Sequence, residues 1–351
     1  MTDLQRRTAV TLGALAAYIL GRDIPIMGID PRWFASADPR SGFVGFLFGG
    51  FPHTLSVFAL GIIPFWSSWM MVELASLLVP ALARWRQAPG NGRRLADIAR
   101  GVGLALAILQ AWGISLGIES REGLVLDPGW AFRFETMATL ATGSLVVHWL
   151  SDVITARGLG NGFVILLAAP IVGRWGQWVG GAAEMSRMGE VGAGEVIFSP
   201  LLLVGCVALL AFASSPRGRR TPADALAGLA ALDIWPIILG VRIAGVVGLL
   251  RTSFSESFFA LWTILYALVF AAALFLFTFL RARTAPSEPP GPLSSRWTSA
   301  YAQAAVFMAL LLGRASGSPL FSAGLEDLTF VTVACASALW SARESRAAGR
   351  L

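Results

Sequence analysis

Apolar residues run in long blocks near 8–27, 54–80, 98–118, 132–156, 160–180, 195–214, 225–250, 256–280, 297–314 and 325–342, with short polar segments between. Each block is long enough for a helix to cross about 30 Å of hydrocarbon. A helix satisfies its backbone N–H and C=O groups internally, which lipid cannot do for them. The pattern therefore predicts an all-α polytopic membrane protein of ten transmembrane helices. One further run, SGFVGFLFGGF (41–51), is too short to cross and broken by glycine, and reads as a re-entrant or half-inserted segment.

Composition agrees. Hydrophobic residues are 56% and charged residues 14% of 351, with mean hydropathy +0.68, too little charge to cover a soluble domain of this size. The net charge of +6 comes entirely from arginine, and its placement follows the membrane rather than a nucleic acid. With a cytoplasmic N-terminus, 17 arginines fall on inside segments and 9 on outside ones, while acids such as Asp23, Asp30, Glu119, Glu122 and Asp127 crowd the outside. Arginine excess on the cytoplasmic side predicts ten spans with both termini inside. The start, MTDLQRRTAVTLGALAAYIL, has the charge and apolar order of a signal peptide, but with nine spans after it is expected to be an uncleaved first span. Cys206 and Cys335 sit in apolar runs without ligand spacing and read as small core residues.

Motifs that suggest chemistry lack its context. RGLGNG (157–162) and GNGRR (90–94) have no preceding strand and no lysine, so they read as tight turns with glycine at positive φ. His53 and His148 have no ligand partner, and the spans hold no protease motif, so no enzyme, metal or cofactor is expected. The informative polar groups are Glu73, Asp233 and Arg242 within spans, each costing about 2.5–3.5 kcal/mol at a bilayer centre. Such groups mark a pathway, or pair in a salt bridge, or snorkel.

The stretch LSVFALGIIPFWSSW (55–69) resembles the second transmembrane segment of SecY, the pore subunit of the general protein-secretion channel. LGRDIPIMGID (20–30) resembles that family's first-span exit, and GRRLADIARGVGLALAILQAWGI (92–114) its second cytoplasmic loop and third span. Residues 126–166 resemble its fourth and fifth spans with the glycine-rich turn between them. LLAFASSPRGRR (209–220) and LDIWPIILGVRIAGVVGLL (232–250) resemble the end of the sixth span and the seventh. On this basis the chain is identified as resembling a divergent, shortened SecY paralogue.

The resemblance implies two pseudo-symmetric five-helix halves, here 1–180 and 181–351, with an hourglass pore between them. Segment 41–51 has the place of the plug, with Phe43, Phe46 and Phe48. The apolar ring at the waist maps to Ile62 and Trp66, four apart on one helix face, and to Leu167, Ile238, Val241 and Thr329. Gly61 and Pro64 would loosen the second span where the halves part. Glu73, Asp233 and Arg242 map to the lateral gate, where the two acids would share a proton. The implied activity is passage of unfolded precursor polypeptides across the bacterial plasma membrane, and their insertion into it. A SecE-like and a SecG-like small subunit would accompany it, driven by a SecA-like ATPase or a ribosome. Loops 214–225 and 281–296 are short for motor docking, which puts that contact in question. A secondary transporter with inverted repeats and a non-conducting scaffold are the rival readings.

Overall fold

The computed structural model of the chain describes residues 2–30, 55–88, 90–121, 123–189, 204–208 and 325–348, with 268–269, 271–276, 278–279 and 303. They form helices α1 (Asp3–Asp23), α2 (Ile63–Leu78), α3 (Pro80–Gln87), α4 (Asn91–Glu119), α5 (Trp130–Arg157), α6 (Gly162–Arg187) and α7 (Leu325–Ala348). No strand occurs among the described residues, only two isolated bridges, Pro25 with Ser56 and Ile29 with Val125. Compactness divides the chain into Met1–Gly158 and Leu159–Leu351.

In the first unit, Thr2 caps α1 in a reciprocal box, its hydroxyl accepting from Gln5 N at 3.3 Å while Gln5 Oε1 accepts from Thr2 N at 2.9 Å. The helix stops at Asp23, short of the expected 27, because Ile24 precedes Pro25 and is pushed to extended geometry. That extended exit pairs with the segment entering the second apolar run: Ile26 N donates to Leu55 O at 2.8 Å and Val57 N to Ile24 O at 2.9 Å. Ile26, Leu55, Leu60, Ile114, Ile118, Leu124, Phe132 and Leu140 close over them as one apolar cluster.

The long runs 98–118 and 132–156 are single helices, α4 and α5, and these two are long and apolar enough to cross a membrane. Gly90, at φ +83°, starts α4, as the turn reading of GNGRR requires. Glu119 pairs with Arg133 at one end of α4 and α5, and at the other Arg100 lies 3.6 Å from Asp152, so the two helices run antiparallel. On α4, Ala99, Gly103, Ala107 and Ala111 recur every four residues and are buried, a stripe of small side chains that lets neighbouring backbones come close.

In the second unit, Asn161 caps α6 by accepting from Phe163 N and Val164 N at 3.0 and 3.4 Å. Gly160, at φ +75°, lies against α7, where a Cβ would stand 2.7 Å from Ala338 N. Tight RGLGNG geometry is thus a packing requirement as well as a turn. Cys206 is buried, but Cys335 is exposed on α7, contrary to the core position expected of both. Its helix turns that face outward, and an apolar run does not say which face.

Candidate functional site

The second apolar run differs from its expected form. Instead of one helix over 54–80, residues 57–62 form consecutive turns, α2 begins at Ile63, Val79 is extended, and α3 follows. Gly61 adopts φ +53°, a left-handed conformation open mainly to glycine. Pro64 lies in the first turn of α2, where its missing N–H costs nothing, so it starts the helix rather than kinking it. Val79 takes extended geometry because Pro80 follows it.

Three neighbours hold this break. Gly21 on α1 faces the Phe58 ring so closely that a Cβ would stand 2.0 Å from it. Gly143 on α5 faces the Val57 carbonyl, again 2.0 Å from where a Cβ would be. Beside it, the Ser144 hydroxyl donates to the Gly61 carbonyl at 2.7 Å. Both groups are buried, so each is the other's replacement for water.

The helix that follows is locked equally tightly. Phe65 packs over Gly103 of α4, and Ser68, fully buried, donates to the Ala99 carbonyl in a short hydrogen bond. The His148 ring stacks on Phe65 with centroids 4.2 Å apart and planes 8° from parallel. Neither ring nitrogen makes a hydrogen bond among the described residues, Nε2 standing 4.0 Å from Asp152 Oδ2, so the contact with Phe65 is made by the flat face of the imidazole. Ser144, His148 and Ser151 recur at helical spacing on the buried face of α5.

Ile62 and Trp66, expected at the pore waist, are both buried, 3% and 6% exposed. Ile62 is the cap of α2 rather than a residue within it, and its carbonyl accepts from Trp66 N at 3.0 Å, so the one-turn spacing survives the break. Glu73 is buried, and its Oε2 lies 2.8 Å from Arg86 Nη1. A continuous helix would separate these residues by about 20 Å, so the chain bends sharply at Val79 to bring the two side chains together. Leu167 is half-buried on α6. Thr329 falls on α7, with its side chain outside the described residues. Ile238, Val241, Asp233, Arg242 and the plug residues Phe43, Phe46 and Phe48 lie outside them altogether.

Sequence reading missed Ser144, Gly143, Gly103 and Arg86. The signal for Ser144 was present: small or polar residues at 143, 144, 148 and 151 within an apolar run mark a helix face that is not for lipid. Arg86 could be found only by knowing that the chain bends at Val79.

Residues 56–220 match the SecY family model. Over 220 residues the chain is 36% identical to the protein translocase subunit SecY of Buchnera aphidicola subsp. Acyrthosiphon kondoi, covering 60% of this chain and 60% of that one. It is also 36% identical to the SecY subunit of Escherichia coli (strain K12), covering 48% of that protein. The chain thus spans about half to three-fifths of the length of these relatives. In fold it is similar to Sec61 in the canine ribosome-channel complex from the endoplasmic reticulum, with TM-score 0.62 and 12% identity over 98% of this chain and 93% of that one. A solved protein-conducting channel gives TM-score 0.63 at 11% identity, again over 98% and 93%. Residues 56–220 are therefore SecY-family sequence, and the chain carries the helical fold of the SecY and Sec61 channels.

Proposed function

We propose that this chain is a protein-conducting channel of the bacterial plasma membrane, passing unfolded polypeptides through a waist to which Ile62 and Trp66 contribute. The observation that carries the reading is the SecY match over 56–220, which includes the break at Gly61 and both helices after it. The geometry of that run supports it. A helix serving only as lipid-facing structure has no use for a buried left-handed glycine in a break held by three neighbours. Such a break sets two bulky apolar side chains at a defined place, which is what a dry gasket requires. Leu167, Ile238, Val241 and Thr329 complete the ring in this reading, and Phe43, Phe46 and Phe48 plug it from outside. Ten spans with both termini cytoplasmic, in two halves, provide the frame.

SecE-like and SecG-like subunits belong to the same proposal, with a SecA-like ATPase or a ribosome as motor. The lateral gate is assigned to Glu73, Asp233 and Arg242. Glu73 has Arg86 as a partner already, so a shared proton with Asp233 would have to compete with that ion pair. If Glu73→Gln and Asp233→Asn leave gating and its pH dependence unchanged, the shared proton is excluded.

The test is protease protection in membrane vesicles containing the full chain. A secretory precursor should become protected when its signal sequence is present and stay digestible when it is deleted. Digestion of both, in vesicles where an Escherichia coli SecY control protects the same precursor, would remove general secretion as the function.

A further inference from the structure

We propose that Ser144 is a positioning residue for the waist, fixing Ile62 from a neighbouring helix through the Gly61 carbonyl. This rests on the channel reading of Ile62. Ile62 directly follows Gly61, and the left-handed turn at Gly61 decides where the Ile62 side chain goes. Within the run itself, little holds that turn. Pro64 has no N–H to give, and the bonds spanning the break are short-range ones, Gly61 N to Phe58 O at 2.9 Å and Ile63 N to Leu60 O at 3.3 Å. The bond from Ser144 Oγ, 83 residues away in sequence and 2.7 Å in space, ties the Gly61 carbonyl to a helix that runs uninterrupted from Trp130 to Arg157. Gly143 makes the bond possible, because any side chain there would strike the Val57 carbonyl and hold α5 off. From the fixed turn the register passes on, since the Ile62 carbonyl accepts the Trp66 N–H. Ser144 thus sets both second-span waist residues without facing the pore.

A hydroxyl that merely stabilised the fold would lower stability when removed and leave the closed channel tight. A positioning hydroxyl would open a leak. The experiment measures chloride influx by dye quenching in inverted membrane vesicles from cells expressing the full chain, with vesicles lacking it as background. Four proteins are compared: the parent, Ser144→Ala, Ser115→Ala and Ile62→Gly. Ser115 is as deeply buried as Ser144 but, among the described residues, donates only within its own helix, to Trp112 O at 2.8 Å, so it reports the cost of losing a buried hydroxyl alone. The expected result is a leak raised several-fold in both Ile62→Gly and Ser144→Ala, with Ser115→Ala indistinguishable from the parent. A tight Ser144→Ala beside a leaking Ile62→Gly overturns the positioning role and leaves the waist reading standing. A tight Ile62→Gly overturns the waist reading itself. Should Ser144→Ala fail to accumulate in the membrane, Ser144→Cys, which keeps the volume and weakens the donor, is measured in its place against the same outcomes.

Discussion

The second apolar run and the third are alike in hydropathy and unlike in structure. Residues 91–119 form one uninterrupted helix, whereas 55–87 become a string of turns, a helix, an extended residue and a second short helix. The third run has glycines at 101, 103, 113 and 117 and stays one continuous helix, because none of them is asked for a positive φ. Gly61 is, and the proline after it then starts a new helix. Apolar length decides that a segment enters the membrane. Where glycine and proline fall relative to a neighbour's small residues decides whether it enters as a straight rod.

The largest expected effect on this contrast comes from Gly143. Gly143→Val drives methyl groups into the Val57 carbonyl and should destabilise the chain by about 2–3 kcal/mol in denaturant titration in detergent, the cost of an overpacked core. Gly113→Val, with no heavy atom within 4 Å of its Cβ, should change stability by only about 0.5 kcal/mol, since it alters little beyond helix propensity. Equal losses at the two sites would mean that α5 does not support the break.

Ser144→Ala comes next. It strips the buried Gly61 carbonyl of its donor and should cost about 1–3 kcal/mol in the same titration.

Gly61→Ala should cost about 1–2 kcal/mol, entirely through its left-handed backbone. The nearest atom to an added Cβ, Phe58 O at 3.8 Å, leaves room for a methyl group. A gain in stability would instead indicate that the run prefers a continuous helix.

Pro64→Ala is expected to be the mildest change, within about 1 kcal/mol, because proline fits the first turn of a helix. Were Pro64 inside a kinked helix, its removal would stabilise the protein by about 3 kcal/mol. Melting curves distinguish the two.

These contrasts also define what the sequence made legible. Runs 98–118 and 132–156 lie within α4 and α5, and the turns at GNGRR and RGLGNG carry positive-φ glycines at 90 and 160. Hydropathy and turn chemistry act locally, so they can be read along the chain. Gly61 and Pro64 read in sequence as loosening one continuous span, and the break they form instead depends on Gly143 and Ser144, some 80 residues on. Glu73 is too costly to sit alone within a span, and Arg86 answers that cost through a bend at Val79 that periodicity does not reveal. Identifying Ile62 and Trp66 rested on family resemblance. The structure adds that both side chains are buried.

The most direct test of the account is a photo-crosslinking probe at position 66, in membranes carrying a secretory precursor arrested midway. The account predicts a crosslink to the precursor that is lost when its signal sequence is deleted. No crosslink at Trp66, where a probe at the matching position of Escherichia coli SecY captures the same chain, would contradict it.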